Sequence, residues 1–150
     1  MPRLTLIVKP VGGRCNLTCD YCYNQDPALS RLRTVSKMSD SLLRSVLENF
    51  VSFNQERYEI IWHGGEPLLA GINFYKKVVE IQKQLAKCGD TKFLNRIQTN
   101  GTLITKDWAL FFKENGFKVG ISLDGPRWLH DEHRVYSNGG GSYDKTLKGI

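Results

Sequence analysis

The chain has 150 residues, of which 41% are hydrophobic and 24% charged, a composition typical of one soluble globular domain. No apolar run approaches the length of a membrane span, and residues 1–9 lack the order of a signal peptide, so we expect a cytoplasmic protein with no membrane partner. The net charge of +6 would suit nucleic acid, but the lysines and arginines are scattered among acidic residues, which favours a solvated surface and no nucleic-acid partner.

Short apolar strands alternate with helical stretches along the whole chain. The β-branched and aromatic runs predict strands over residues 4–9, 58–62, 92–99 and 117–123. Apolar residues at helical spacing predict helices over 42–51 after the N-cap Ser39, over 74–85, between Thr105 and Gly116, and from Tyr143 onward. The segment between Pro126 and the glycines at 139–141 is predicted to be irregular.

This alternation predicts an α/β fold in which right-handed βαβ units form a parallel sheet. The unusual motifs all follow predicted strands: cysteines after the first, residues 64–67 after the second, 100–101 after the third, and 122–126 at the fourth. Because the carboxyl ends of parallel strands lie at one edge, these motifs are expected to form one shared site.

The end of the chain coincides with the start of a predicted helix. A parallel sheet of four strands would leave an edge strand uncovered. We therefore expect residues 1–150 to be the N-terminal part of a larger domain, truncated after about four βα units.

Three cysteines dominate the loop after the first strand. Cys15, Cys19 and Cys22 have the spacing C-x3-C-x2-C, which lets three thiolates converge and favours an iron-sulfur cluster or zinc. With three ligands, one iron of a four-iron cluster stays open to a small molecule. The alternatives are disulfides, which such close spacing disfavours, and a closed zinc or ferredoxin-type module with Cys88 as the fourth ligand.

The cysteine spacing, with Tyr21 directly before the last cysteine, resembles the radical S-adenosylmethionine (SAM) family. The sequence Gly64-Gly65-Glu66-Pro67 matches the family's GGEP motif. Residues 98–102 and 119–126, followed by His130 and Arg134, resemble the branch of anaerobic sulfatase-maturating enzymes and SPASM-type peptide maturases.

The resemblance implies a partial (β/α) barrel and two cofactors, a 4Fe-4S cluster and SAM. By it, Cys15, Cys19 and Cys22 hold the cluster, and the SAM contacts come from Tyr21, Gly64, Gly65, Glu66, Ser122 and Arg134. Glu66 is expected to help as a hydrogen-bond acceptor. Asn100 is expected either to contact the SAM ribose or only to form the Asn-Gly turn. Asp124 is expected to form a turn, and His63 is expected to be a structural histidine outside the site.

The resemblance also implies a reaction class. Reductive cleavage of SAM would give a 5′-deoxyadenosyl radical that takes a hydrogen from a protein or peptide substrate. Two activities stay open, oxidation of a sulfatase Cys or Ser to formylglycine and maturation of a ribosomally made peptide. An electron donor such as flavodoxin or ferredoxin is implied, and the general base is expected beyond Ile150.

Overall fold

The computed structural model describes residues 4–28, 34, 36–86 and 91–150. Among the described residues, short 3-10 turns include Tyr23–Gln25 and Pro67–Ala70. The strands and helices in chain order are β1 (Thr5–Val8), α1 (Asp40–Val51), β2 (Arg57–Trp62), α2 (Ile72–Ala86), β3 (Lys92–Thr99), α3 (Lys106–Glu114), β4 (Lys118–Ile121), α4 (Arg127–His133) and α5 (Tyr143–Lys148).

The four strands form one parallel sheet in the order β1-β2-β3-β4. Val8 lies beside Trp62, and Trp62 lies beside Ile97, so three strands end at nearly the same level. Thr99 of β3 pairs with Ile121 of β4 in the same way. The predicted α/β class with a parallel sheet is thus confirmed, and the loops after the four strands meet at one edge.

One face of the sheet carries the core. Val8, Ile60, Trp62 and Ile97 are buried there under the apolar faces of the helices, whereas Ile7, on the opposite face of β1, is 62% exposed. Alternate residues of a strand point to opposite faces, which accounts for the contrast between Ile7 and Val8. None of the helices in the described ranges is long and apolar enough to cross a bilayer.

Helix boundaries follow the predicted caps. The Ser39 side chain accepts a hydrogen bond from the backbone N–H of Leu42, and Thr105 does the same for Trp108. These hydroxyls satisfy backbone donors that have no partner within the helix.

Helix α4 corrects the sequence analysis, which predicted an irregular segment there. Its seven residues, Arg127–His133, are too few to show an apolar repeat, and only His130 among them is buried. Polar contacts such as the Asp131–Tyr143 and His133–Asp20 bonds also hold the helix, and a search for apolar periodicity does not detect it.

Candidate active site

The loop that carries the three cysteines leaves β1 and runs along the segment that follows α4. The backbone N–H of Thr18 donates to the carbonyl of Val135 (2.8 Å), and that of Asp20 donates to His133 (3.3 Å). Leu17 and Tyr136 form an isolated antiparallel bridge beside them. The C-terminal segment therefore fixes one side of the loop across more than a hundred residues of sequence.

A ring of polar side chains fixes the other side of this loop. Asn100 Nδ2 donates to Asn16 Oδ1 (2.9 Å), Asn16 Nδ2 donates to Thr102 Oγ1 (2.9 Å), and that hydroxyl donates to Asn100 Oδ1 (2.7 Å). Asn100 Nδ2 also lies 3.8 Å from Cys15 Sγ. The Asn100 side chain thus fastens the cysteine loop to the end of β3, a role that neither expected reading, ribose contact or simple turn, contained.

Glu66 has a structural task inside the protein, and its expected help in cofactor binding stays a prediction. Its side chain is fully buried. Oε1 accepts from the Leu68 N–H (2.9 Å) and the Thr99 hydroxyl (2.8 Å), and Oε2 accepts from the Asn100 N–H (2.8 Å). Burial raises the pKa of this carboxyl, while the three donors act to lower it. Both oxygens are used inside the protein, so the side chain of Glu66 joins the loops after β2 and β3.

The two glycines before Glu66 have positive φ and tight surroundings. A Cβ on Gly65 (φ +51°) would lie 2.1 Å from the Arg14 carbonyl oxygen, and one on Gly64 (φ +81°) would lie 2.5 Å from the Lys9 side chain. The Glu66 N–H donates to the same Arg14 carbonyl at 2.8 Å. The missing side chains therefore allow the turn to contact the cysteine loop; the expected SAM contacts of Gly64 and Gly65 stay a prediction.

A cavity of about 190 Å³ lies where these loops meet, and most predicted site residues line it. All three cysteines of the loop are among its lining residues. The lining comprises Cys15, Leu17, Cys19, Tyr21, Cys22, Tyr23, Asn24, His63, Gly65, Gln98, Thr99, Asn100, Ser122 and Arg134. The proximity predicted from the strand ends is therefore present in the structure.

Asp124 joins the two predicted SAM contacts Arg134 and Tyr21. Arg134 Nε lies 2.9 Å from Asp124 Oδ2, an ion pair whose N–H is not aligned for a hydrogen bond. The Tyr21 hydroxyl donates to the same oxygen, and the Arg134 guanidinium lies 5.5 Å from the centre of the Tyr21 ring. Asp124 thus belongs to the site, whereas the sequence indicated only a turn.

The pKa values in this group follow from burial and charge. Burial by itself would raise the pKa of Asp124, but the Tyr21 hydroxyl and Arg134 outweigh it and lower the pKa. Burial and the bond to Asp124 raise the pKa of Tyr21, so the phenol keeps its proton. Arg134 and Tyr21 therefore line the cavity as a cation and a neutral phenol, and the Asp124 carboxylate contacts both.

Ser122 lies at the end of β4 beside a residue that the sequence analysis did not assign. Gln98 Nε2 donates to Ser122 Oγ at 3.0 Å. A Cβ on Gly120 would lie 2.4 Å from Gln98 Oε1, so the glycine makes room for this amide. A polar side chain near the carboxyl end of a strand is the signal that could have indicated Gln98.

His63, which the sequence analysis left out, also lines the cavity. It directly follows β2, and its backbone N–H donates to the Val8 carbonyl (2.9 Å). Burial, and secondarily the charge of Lys9, lower the pKa of this imidazole. His63 therefore presents a neutral ring to the cavity at neutral pH.

The donor set fits a cluster that takes one thiolate per iron. Burial raises the pKa of the Cys15 thiol to about 11 and also raises the pKa of Cys19, which the charge of Arg134 partly offsets. No three His, Cys, Asp or Glu side chains in the described ranges gather closely enough for a single metal ion. A four-iron cluster does not need such a gathering, because each thiolate binds a different iron.

Cys88, the proposed fourth ligand of the closed module, lies outside the described residues.

Comparison with curated proteins shows relatives along nearly the whole chain. The chain is 44% identical to the serine-type anaerobic sulfatase-maturating enzyme of Bacteroides thetaiotaomicron over 98% of its length, covering 36% of that protein. It is 38% identical to the cysteine-type enzyme of Clostridium novyi, covering 40% of it. The chain thus spans less than half the length of these relatives.

Solved structures give the same correspondence. Native anSMEcpe with bound AdoMet (SAM) superposes with a TM-score of 0.87 at 36% identity, over 98% of this chain and 40% of that one. Native anSMEcpe with bound AdoMet and Cp18Cys peptide superposes with a TM-score of 0.88 at 34% identity, over 99% of this chain and 39% of that one. These similarities confirm the predicted parallel-sheet architecture of the radical SAM partial barrel.

The family assignment rests on a third comparison. The model of the radical SAM superfamily matches residues 10–150, a range that contains the three cysteines of the loop and every lining residue of the cavity. The resemblance inferred from the motifs is therefore confirmed, and the chain belongs to the radical SAM superfamily.

Proposed function

We propose that this protein is a radical SAM maturase that oxidises a cysteine or serine side chain of a sulfatase to formylglycine. The observation that carries the proposal is the cavity itself, where three cysteines lie with Tyr21 and Arg134. The similarity to serine-type and cysteine-type sulfatase-maturating enzymes supports this substrate class.

The cysteines would hold a 4Fe-4S cluster, and SAM would occupy the adjoining space. A cluster bound there would, when reduced, supply the electron for cleavage of SAM to methionine and a radical able to take a hydrogen from the substrate. Flavodoxin or ferredoxin is the proposed class of electron donor.

Arg134 supplies the charge that suits the SAM carboxylate. A guanidinium carries five N–H donors, and in Arg134 it is Nε that lies closest to Asp124. The side chain is 14% exposed, so its charge acts with little screening by water. Arg134 thus orients the carboxylate, and Asp124 holds Arg134 in place.

Tyr21 and the amide-hydroxyl pair Gln98–Ser122 complete the proposed SAM contacts. The Tyr21 ring is 55% exposed and offers an apolar face at the cavity edge. The Ser122 hydroxyl accepts from Gln98 and can donate its own proton to a ligand. These groups bind and orient; the proton acceptor of the oxidation stays unassigned among the residues described.

The test is mass spectrometry of sulfatase-derived peptides after anaerobic incubation with the reconstituted full-length protein, SAM and a reductant. A serine peptide should lose two hydrogens, and a cysteine peptide should also exchange sulfur for oxygen. Cys22→Ala should lose both the cluster and the activity. A reconstituted protein that cleaves SAM but leaves both peptides unmodified would contradict the sulfatase substrate and favour maturation of another peptide.

The rival reading, a closed non-catalytic module, is tested by Cys88→Ala. Iron, labile sulfide and the ultraviolet-visible spectrum should match those of the unaltered protein, because the proposed cluster takes only three protein ligands. Loss of the cluster in Cys88→Ala would support the closed module.

A further inference from the structure

His130 is fully buried in α4, and both nitrogens of its ring have partners. The backbone N–H of Asp124 donates to Nδ1 at 3.3 Å, so that nitrogen carries no proton. Nε2 therefore carries the proton, and it lies 3.0 Å from Ser142 Oγ. The hydrogen bonds thus select one tautomer of a neutral imidazole.

Ser142 continues this chain of hydrogen bonds to Arg134. Its hydroxyl accepts from His130 and donates to the carbonyl oxygen of Arg134 at 2.7 Å. A hydroxyl has one proton to give, and this assignment uses it once. The backbone of Asp124 and the backbone of Arg134 are therefore joined through a single imidazole and a single hydroxyl.

The surroundings keep the ring in place. The Tyr143 ring meets it edge-on with centroids 5.6 Å apart, and the Tyr143 N–H donates to Asp131 Oδ1 at 2.8 Å. The Arg134 N–H donates to the carbonyl of His130 itself, also at 2.8 Å. Contacts on three sides leave the ring no alternative position without breaking hydrogen bonds.

We propose that His130 is a positioning residue for SAM binding, which acts by holding the Asp124–Arg134 pair at the cavity. The ion pair is formed by the same two residues whose backbones the imidazole joins, and its arginine lines the cavity. Loss of the ring would break the link between the two backbone segments, and the guanidinium would be held less firmly where the SAM carboxylate is expected. The inference rests on the proposed function, since it takes Arg134 as a contact of SAM.

The test is SAM affinity, measured by equilibrium dialysis on the reconstituted full-length protein. His130→Phe keeps an aromatic ring beside Tyr143 and removes both hydrogen bonds, so the affinity should fall roughly tenfold, the effect of one or two hydrogen bonds. Iron content should not change. Ser142→Ala, which leaves the ring in place, should lower the affinity about threefold, and it serves if His130→Phe does not fold.

A double variant separates positioning from a general loss of structure. If His130 acts through Arg134, then His130→Phe should cause no further loss of SAM affinity in an Arg134→Ala background. Losses that multiply in the double variant, or unchanged affinity in both His130→Phe and Ser142→Ala, would overturn the inference. Failure of the unaltered protein to bind SAM would instead contradict the proposed function.

Discussion

Gly65→Ala tests whether the turn after β2 holds the cysteine loop. The new Cβ would lie 2.1 Å from the Arg14 carbonyl oxygen, whereas ordinary contacts begin at 3.4 Å. The Arg14 peptide must therefore retreat by about 1.3 Å, and its hydrogen bond from the Glu66 N–H should break. Cys15 directly follows Arg14, so the displacement should reach the first predicted cluster ligand.

The cost of Gly65→Ala in stability has three parts. A positive φ such as the +51° of Gly65 costs an alanine about 1–2 kcal/mol. Loss of the backbone hydrogen bond adds about 1 kcal/mol, and the overlap adds more where the loop cannot move away. We expect a total loss of about 2–4 kcal/mol in the free energy of unfolding.

Gly116→Ala is the matched control. Gly116 has φ +65°, and a Cβ there would meet nothing within 4 Å, so only the conformational part of about 1–2 kcal/mol applies. Urea unfolding and iron content after anaerobic reconstitution should be measured on both variants. Gly65→Ala should lose stability and most of its iron, whereas Gly116→Ala should keep its iron. Equal iron content in the two variants would refute the argument that this turn supports the loop.

Three further predictions concern polar side chains at or near the site. In Glu66→Gln, the side-chain NH2 group would face one of the hydrogen-bond donors that now meet the carboxylate, which should lower the free energy of unfolding by about 1–3 kcal/mol. An unchanged midpoint of urea unfolding would contradict the assigned hydrogen bonds. Arg134→Ala should weaken SAM binding by about one to two decades, and Ser122→Ala less, with iron content unchanged in both; equal SAM affinity in Arg134→Ala would remove Arg134 from the site. Burial and the charge of Arg134 lower the pKa of His130, and the opposing effect of Asp124 and Asp131 is smaller. As the pH falls, His130 therefore becomes protonated in the unfolded chain before it does so in the folded chain. Stability should therefore fall as the pH drops below about 6.5, by at most about 1.4 kcal/mol per pH unit, and this part of the slope should vanish in His130→Phe.

The sequence predicted those parts of the protein that depend on neighbouring residues. The strand over Lys92–Thr99 has the predicted bounds, since its apolar run is bordered by turn residues. The cap at Ser39 and the three cysteines also depend on short spacing. Because all strands are parallel, the meeting of the strand-end motifs followed from topology alone.

Contacts between distant residues could not be predicted in this way. The donors to Glu66 from Thr99 and Asn100 are 33 and 34 residues away, and the partner that Gly65 must accommodate, Arg14, comes from another loop. Similarly, the ion pair of Asp124 with Arg134 joins residues on either side of helix α4, which the sequence does not indicate. Polar side chains at strand ends have many possible partners, and sequence spacing does not select among them.

The ring of Asn16, Asn100 and Thr102 has a consequence for the order of events during synthesis. Its bonds to Asn16 span 84 and 86 residues of sequence, so the cysteine loop lacks this support until Thr102 has left the ribosome and β3 has joined the sheet. The Thr18–Val135 bond requires a still longer nascent chain. We therefore expect a cluster in this loop to gain its full support only after β3 has joined the sheet, late in the synthesis of these residues.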